Sequence, residues 1–207
     1  MILHICGNLA AGKTTTVDAL QPVLKWPVVT IGRIRNMCQD EWLAWRVVGR
    51  LWQTWDSPDL TPGRSGIWVS TGLNHNELGL LALTVPRYLR RIWLTTDPWI
   101  LRTRMAQRHR LTNTGYWPYP ESWDTLQEDL MGYNTGYRPL PWPVDRHFDT
   151  GVTSVEFIIR DILSLVHDSW THASAVNSDA VAVWRHLTAG WPIYAAIRAS
   201  RAEAHEI

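Results

Sequence analysis

Short apolar runs alternate along this chain with longer segments in which apolar residues recur every third or fourth position, the two periods that mark strands and helices. Residues 1–6 form the first run, broken only by His4, and predict a buried strand. Residues 14–24 carry Val17, Leu20 and Leu24 on one helical face. A second strand is predicted at 27–31. Residues 40–55 follow as a helix, with Trp42, Trp45, Val48, Leu51, Trp52 and Trp55 at helical spacing, before a loop marked by Pro58, Pro62, Gly63 and Gly66. The same rhythm predicts strands at 66–70, 91–94 and 147–150. It places helices at 76–85, at 98–107 after Asp97-Pro98, at 121–131, and at 154–170 with Ser154 as N-cap. Between 108 and 120 the pattern breaks into polar, glycine and aromatic residues, as in a mobile lid. The sum is an α/β chain: a five-stranded parallel sheet sandwiched by helices. After 171, two further helical stretches at 179–187 and 192–205 read as a C-terminal helical extension, so the organisation expected is a core domain at 1–170 and an extension at 171–207. Apolar residues such as Trp184, Leu187, Trp191 and Ile197 require that extension to pack on the core or on a second copy, and the oligomeric state stays open.

Composition narrows the setting. The formal net charge is +1, so no strong nucleic-acid field is expected from the whole chain. Two cysteines, Cys6 and Cys38, are too few for a disulfide framework, and no apolar run reaches the ~20 residues a membrane-spanning helix needs. No membrane partner and a cytoplasmic location are expected, the host cytoplasm if the chain is phage-encoded. The 14 tryptophans against two phenylalanines point to core packing, with some rings left to offer stacking surfaces.

The chemistry concentrates after the first strand. Gly7-Asn8-Leu9-Ala10-Ala11-Gly12-Lys13-Thr14 places two glycines and Lys-Thr at phosphate-loop spacing, with a strand before and a helix after. Gly7 and Gly12 let the backbone turn its N–H groups toward phosphate oxygens, and the helix N-terminus adds its dipole. The nucleotide-binding set expected is Gly7, Asn8, Ala10, Ala11, Gly12, Lys13, Thr14 and Thr15. In it Lys13 bridges the β- and γ-phosphates of ATP, the Thr14 hydroxyl ligates Mg²⁺, and Thr15 stands by the α-phosphate.

With the loop in place, the chain resembles the small P-loop kinases, especially the group containing phage polynucleotide kinase. The resemblance spans about residues 1–166. Beyond the loop it rests on Ile31-Gly32-Arg33-Ile34-Arg35, Ser70-Thr71-Gly72-Leu73-Asn74, Arg104-Met105-Ala106-Gln107-Arg108, and Phe148-Asp149-Thr150 with Ser154-Val155-Glu156. It implies a P-loop NTPase fold and an ATP-dependent kinase. Arg104 and Arg108 would stand at the lid against the transferring phosphoryl group, and Arg35 would handle acceptor or γ-phosphate. Such kinases carry an aspartate before that arginine to take the acceptor's proton, and here those positions are Gly32 and Arg33. Asp40 is the acidic substitute expected to act in catalysis, with Glu41 beside it.

The acceptor is a hydroxyl-bearing molecule. Ser70, Thr71, Asn74, His75 and Asn76 follow the third strand, where open α/β sheets bind ligands, and His75 is a minor base candidate. Tyr116, Trp117 and Tyr119 beside Arg108 and Arg110 suit stacking on a base. The resemblance extends to phage kinases that phosphorylate the hydroxymethyl group of a 5-hydroxymethylpyrimidine in DNA, and that modified DNA is the leading acceptor. Two alternatives remain: a small-molecule kinase acting on an antibiotic or nucleoside, and a nucleotide-binding regulatory module without catalysis.

Overall fold

β1 (Ile2–Gly7) is buried along its whole length, which a strand can be only with a neighbour on each side and a layer over each face. The neighbours are β3 (Gly66–Ser70) and β4 (Leu89–Thr95), both parallel to it, with Ile5 in register with Val69 on one side and Ile92 on the other. β2 (Val28–Thr30) pairs with β3, and β5 (Arg146–Asp149) pairs with β4. All five run parallel in the order β2-β3-β1-β4-β5. The computed structural model describes residues 1–55, 65–74, 77, 89–112 and 130–172, with the backbone alone described at 52–55, 108–112 and 169–172. The predicted lid beyond 112, His75 and Asn76, most of the predicted helices at 76–85 and 121–131, and the extension from 173 onward lie outside the described residues.

The alternation of side chains along each strand gives the sheet two unlike faces. One is aliphatic: Leu3, Ile5, Ile67, Val69, Ile92 and Leu94 meet Val17 and Leu20 of α1 (Lys13–Leu24) and Ile158, Ile162 and Leu165 of α5 (Val155–His172). The other carries the tryptophans. Trp68 packs with Trp45 and Val48 of α3 (Glu41–Trp55), while Trp93 meets Trp142 edge-on with ring centroids 5.8 Å apart. Each fully buried aliphatic or aromatic side chain contributes about 1.5–3 kcal/mol of transfer free energy, and Trp45, Trp68, Trp93 and Trp142 are core residues of this face, while Trp42 and Trp99 are exposed.

Among the described residues the strand and helix pattern is present, with differences of extent: β4 is longer than the predicted 91–94 and β5 begins and ends one residue before the predicted 147–150. β2 ends at Thr30, and Ile31 opens a helix, α2 (Ile31–Cys38), where the sequence pattern carries the strand through Ile31 and names no helix. The reason is local: the β-branched run Val28-Val29-Thr30-Ile31 reads as one strand, yet Ile31 is buried as the first residue of a helix. α4 (Pro98–Thr112) runs five residues past the predicted end at 107, so the segment predicted as lid begins as helix. α5 reaches His172. The predicted caps hold: Ser154 Oγ accepts the Phe157 amide at 3.3 Å, and Asp97 Oδ1 accepts the Trp99 amide at 2.8 Å ahead of Pro98.

The two thiols sit in opposite settings. Cys6 is fully enclosed, donates to the Ile92 carbonyl at 3.2 Å, and burial pushes its thiol well above the ordinary cysteine range. Cys38, at the end of α2, is only partly covered. A thiol-labelling time course at neutral pH is expected to modify Cys38 in the native protein and Cys6 only after denaturant unfolds it. Equal labelling rates would contradict the burial of β1.

Candidate phosphate-binding site

The strand order reverses direction about β1, and the crevice at its C-terminal end is where such a sheet binds ligands. The loop from Gly7 to Gly12 fills that position. At Gly7 (φ 149°) an added Cβ would lie 2.2 Å from the Leu94 carbonyl oxygen, so only glycine lets the chain leave β1 this close to β4. Asn8 is buried and its Oδ1 accepts the Leu9 amide at 2.6 Å, while the Ala11 amide bonds the Asn8 carbonyl at 3.2 Å. Ala10 takes a left-handed conformation at φ 61°. These turns bring the chain to Gly12 (φ 90°), which opens α1 with no side-chain cap and no acidic residue in the first turn.

The first hydrogen bond of α1 runs from the Thr16 amide to the Gly12 carbonyl at 3.0 Å. The amides of Lys13, Thr14 and Thr15 precede it and have no carbonyl four residues back within the helix. A helix start of this kind attracts an anion through its N–H groups and its dipole together. Lys13 Nζ is held over the loop by the carbonyls of Gly7 at 2.8 Å and Asn8 at 2.6 Å, which sets a positive charge above the same amides. Thr14 and Thr15 are exposed beside it.

Thr150, just past β5, closes the loop from the far side. Its Oγ1 donates to the Ala11 carbonyl at 3.2 Å, and Arg104 of α4 reaches both Thr150 Oγ1 and the Ala10 carbonyl at 3.3 Å. Gly12 abuts the same threonine, since a Cβ there would meet Thr150 Cγ2 at 3.2 Å. A cavity of about 360 Å³ lies over the loop, bounded by Lys13, Thr15, Arg104, Thr150, Val155 and Ile158. Arg104 therefore stands at the phosphate loop, bonded to it and to Thr150. Arg108 follows one turn later on α4, with its backbone alone described.

The second group of predicted residues is placed differently. Arg35 is buried and its guanidinium pairs with Glu41, whose other carboxylate oxygen accepts Trp45 Nε1 at 2.6 Å. That triad locks α2 to α3 and gives both Arg35 and Glu41 a structural occupation. Asp40 Oδ1 accepts the Leu43 amide at 2.6 Å, so Asp40 caps α3. Neither acid lines the cavity over the phosphate loop.

Ser70, named above as an acceptor-side candidate, lies in a buried network with residues that the sequence pattern did not single out. His4 Nε2 lies 2.7 Å from Ser70 Oγ and 3.2 Å from Glu77 Oε1, and Trp68 Nε1 donates to the same Glu77 oxygen at 3.3 Å. Ser70 Oγ also accepts the Gly72 amide at 2.9 Å, and Trp142 Nε1 donates to the Gly72 carbonyl at 2.9 Å. This buried network fixes the turn after β3 beside the phosphate loop. Asn134 does the same after β4, donating to the Thr96 carbonyl at 2.7 Å. Arg91 lies over the Trp142 ring at 5.3 Å, and burial lowers its pKa from the usual arginine value.

The strand order, the glycine-opened helix and the lysine over the loop decide the fold. It is the fold of the small P-loop kinases. Among solved structures, a sugar kinase from Janibacter sp. HTCC2649 superposes with TM-score 0.55 at 16% identity, covering 80% of this chain and 94% of that one. A gluconokinase from Sinorhizobium meliloti 1021 gives 0.53 at 15%, covering 84% and 97%, and shikimate kinase from Acinetobacter baumannii, in complex with shikimate, gives 0.53 at 14%, covering 81% and 93%. No family model matches the chain, and no curated protein matches it in sequence.

The P-loop fits Mg²⁺ with the nucleotide. Among the described residues no three His, Cys, Asp or Glu side chains gather to cage a metal, and magnesium at phosphate sites needs few protein ligands. The exposed Thr14 hydroxyl is the oxygen that would hold it. A P-loop opened this tightly leaves no room at Gly7: Gly7→Ala is expected to lower stability by about 2 kcal/mol or more, read as a fall in denaturant midpoint. An unchanged midpoint would mean that β1 and β4 separate at the loop more easily than their contact indicates.

Proposed function

We propose that this chain is an ATP-dependent kinase that transfers the γ-phosphoryl group to a hydroxyl of a small molecule. One observation carries the reading: Thr14 lines two cavities. The first, over the P-loop, suits the phosphates of ATP. The second, about 660 Å³, lies between α1, β2 and α2 and is bounded by Thr14, Asp18, Gln21, Thr30, Arg33 and Ile34. Its size is within the range of small-molecule sites. A donor in one chamber and an acceptor in the other would face each other across the residue assigned to the metal, the arrangement that in-line phosphoryl transfer requires.

Within this reading ATP lies with its phosphates on the amides of residues 12–15, and Lys13 neutralises the charge that builds between the β- and γ-phosphates. Bound Mg²⁺ would supply further charge neutralisation beside Thr14. Arg104 braces the loop from α4, and Arg108, one turn on, is the arginine assigned to the transferring group. The roles of sugar kinase, gluconokinase and shikimate kinase, all acting on small hydroxylated compounds, support a small acceptor here. The hydroxymethylpyrimidine acceptor depends on the aromatic segment at 116–119, which lies outside the described residues.

The test is transfer of labelled γ-phosphate from ATP across sugars, sugar acids, shikimate, nucleosides, and DNA with and without hydroxymethylpyrimidine. Labelling of a small compound is expected. Labelling of modified DNA alone would move the acceptor to the other reading, and ATP binding with no transfer to any acceptor would leave a nucleotide-binding module. Lys13→Ala is expected to reduce transfer by ~100-fold or more with an unchanged melting midpoint. In the lid, Arg108→Ala is expected to lower kcat more than ATP affinity; equal kcat would remove Arg108 from the transition state.

A further inference from the structure

Phosphoryl transfer to a hydroxyl releases a proton, and the positions just after β2, Gly32 and Arg33, carry no carboxylate to receive it. The two acids next in sequence are occupied, Asp40 as the cap of α3 and Glu41 between Arg35 and Trp45. The second cavity nevertheless contains a carboxylate. Asp18 lies on α1 four residues after Thr14, so the two side chains share one face of the helix about 5–6 Å apart at Cβ. Of the residues lining the cavity, Asp18 and Arg33 are the two that carry charge, one contributed by α1 and the other by α2. Both are exposed, and among the described residues they do not pair with each other. An acid and a base that line one cavity without neutralising each other are available to a ligand.

We infer that Asp18 is the acceptor-side catalytic carboxylate: it accepts the hydroxyl proton of a small polyhydroxylated compound seated in this cavity, replacing from α1 the acid missing after β2. The inference rests on the kinase reading above. In the step, the acceptor oxygen forms its bond to the γ-phosphorus as the bond from that phosphorus to the bridging oxygen breaks. ADP leaves with the electron pair, and the hydroxyl proton moves to Asp18 and then to water. Arg33 lies on the opposite wall and holds a polar or anionic substituent of the acceptor. Gln21, one turn beyond the aspartate's neighbour Val17, extends the polar wall for further hydroxyls.

Asp18 is exposed on an intact helix, so its replacement spares the fold and leaves the P-loop untouched. The experiment measures ATP affinity by calorimetry, and then kcat and kcat/KM against pH for Asp18→Asn and Asp18→Glu, using γ-labelled ATP with gluconate, shikimate, ribitol, glucose and adenosine as acceptors. The result expected is transfer to at least one compound by the unaltered chain. Asp18→Asn should then lose about 100-fold or more in kcat, the size of a general-base contribution, with ATP affinity within about twofold. It should also lose the acidic limb of the pH profile, and Asp18→Glu should regain part of the rate. An Asp18→Asn variant with full kcat and an unaltered profile would overturn the role of Asp18 while the kinase reading stands. Absence of transfer to all five compounds, with ATP bound normally, would overturn the cavity as a small-acceptor seat. Failure of the unaltered chain to bind ATP would bring down the underlying reading instead.

Discussion

An α-helix that starts without a side-chain cap leaves backbone N–H groups with no partner in the helix, and α1 starts in this way at Gly12. In most helices a serine, threonine or aspartate at that position satisfies one of them. Here the position is a glycine at φ 90°, pressed against Thr150, and the charge nearest the helix start is the Lys13 ammonium held on two loop carbonyls. A cation beside the positive end of a helix dipole is a combination that suits an anion. The rest of the architecture serves to hold this cluster at the C-terminal end of the central strand.

The sheet does so through its two unlike faces. On the aliphatic side α1 and α5 pack closely through branched side chains, which fixes the axis of α1 and so the direction in which its amides point. On the other side the layer is built from tryptophans and contains polar atoms. Trp68, Trp93 and Trp142 each offer a ring N–H as well as a large apolar surface, and Trp68 and Trp142 use theirs to hold Glu77 and the Gly72 carbonyl. Phenylalanine could fill the volume but could not make those bonds. Trp68 and Trp142 thus serve a face that is both a core and the anchor of the turns beside the site.

Much of this was legible in the order of residues, and the limits have physical causes. The strand, glycine loop and helix from Ile2 to Leu24 follow from local rules, so their boundaries are read to within a residue or two. α2 was missed because its first residue, Ile31, continues a β-branched run, and its start has no side-chain cap to announce it. Arg35 and Glu41 stood as possible catalytic groups until the turn between α2 and α3 brought them together, a contact that depends on how two helices meet and not on either sequence segment. Thr150 lay outside the predicted site for a similar reason: its partners Ala11 and Arg104 lie 139 and 46 positions away, and only the packing of β5 beside β4 puts it under the loop.

The placement of α1 has one more consequence for how a phosphoryl-transfer site can be assembled. Its first turn lines the cavity over the phosphate loop, while Thr14 and Asp18, one turn apart, line the second cavity along the same helix. A single element therefore lines both cavities, and its position is set by Val17 and Leu20, which are buried. Carboxylates placed after β2 depend on the geometry of a strand end and a helix start, which here is given over to Arg33 and to the Arg35–Glu41 lock. A carboxylate on α1 needs no such junction: it keeps its distance to the P-loop amides through the 1.5 Å rise per residue of the helix itself. The core that buries Val17 and Leu20 thereby also fixes where Thr14 and Asp18 stand along the same two turns.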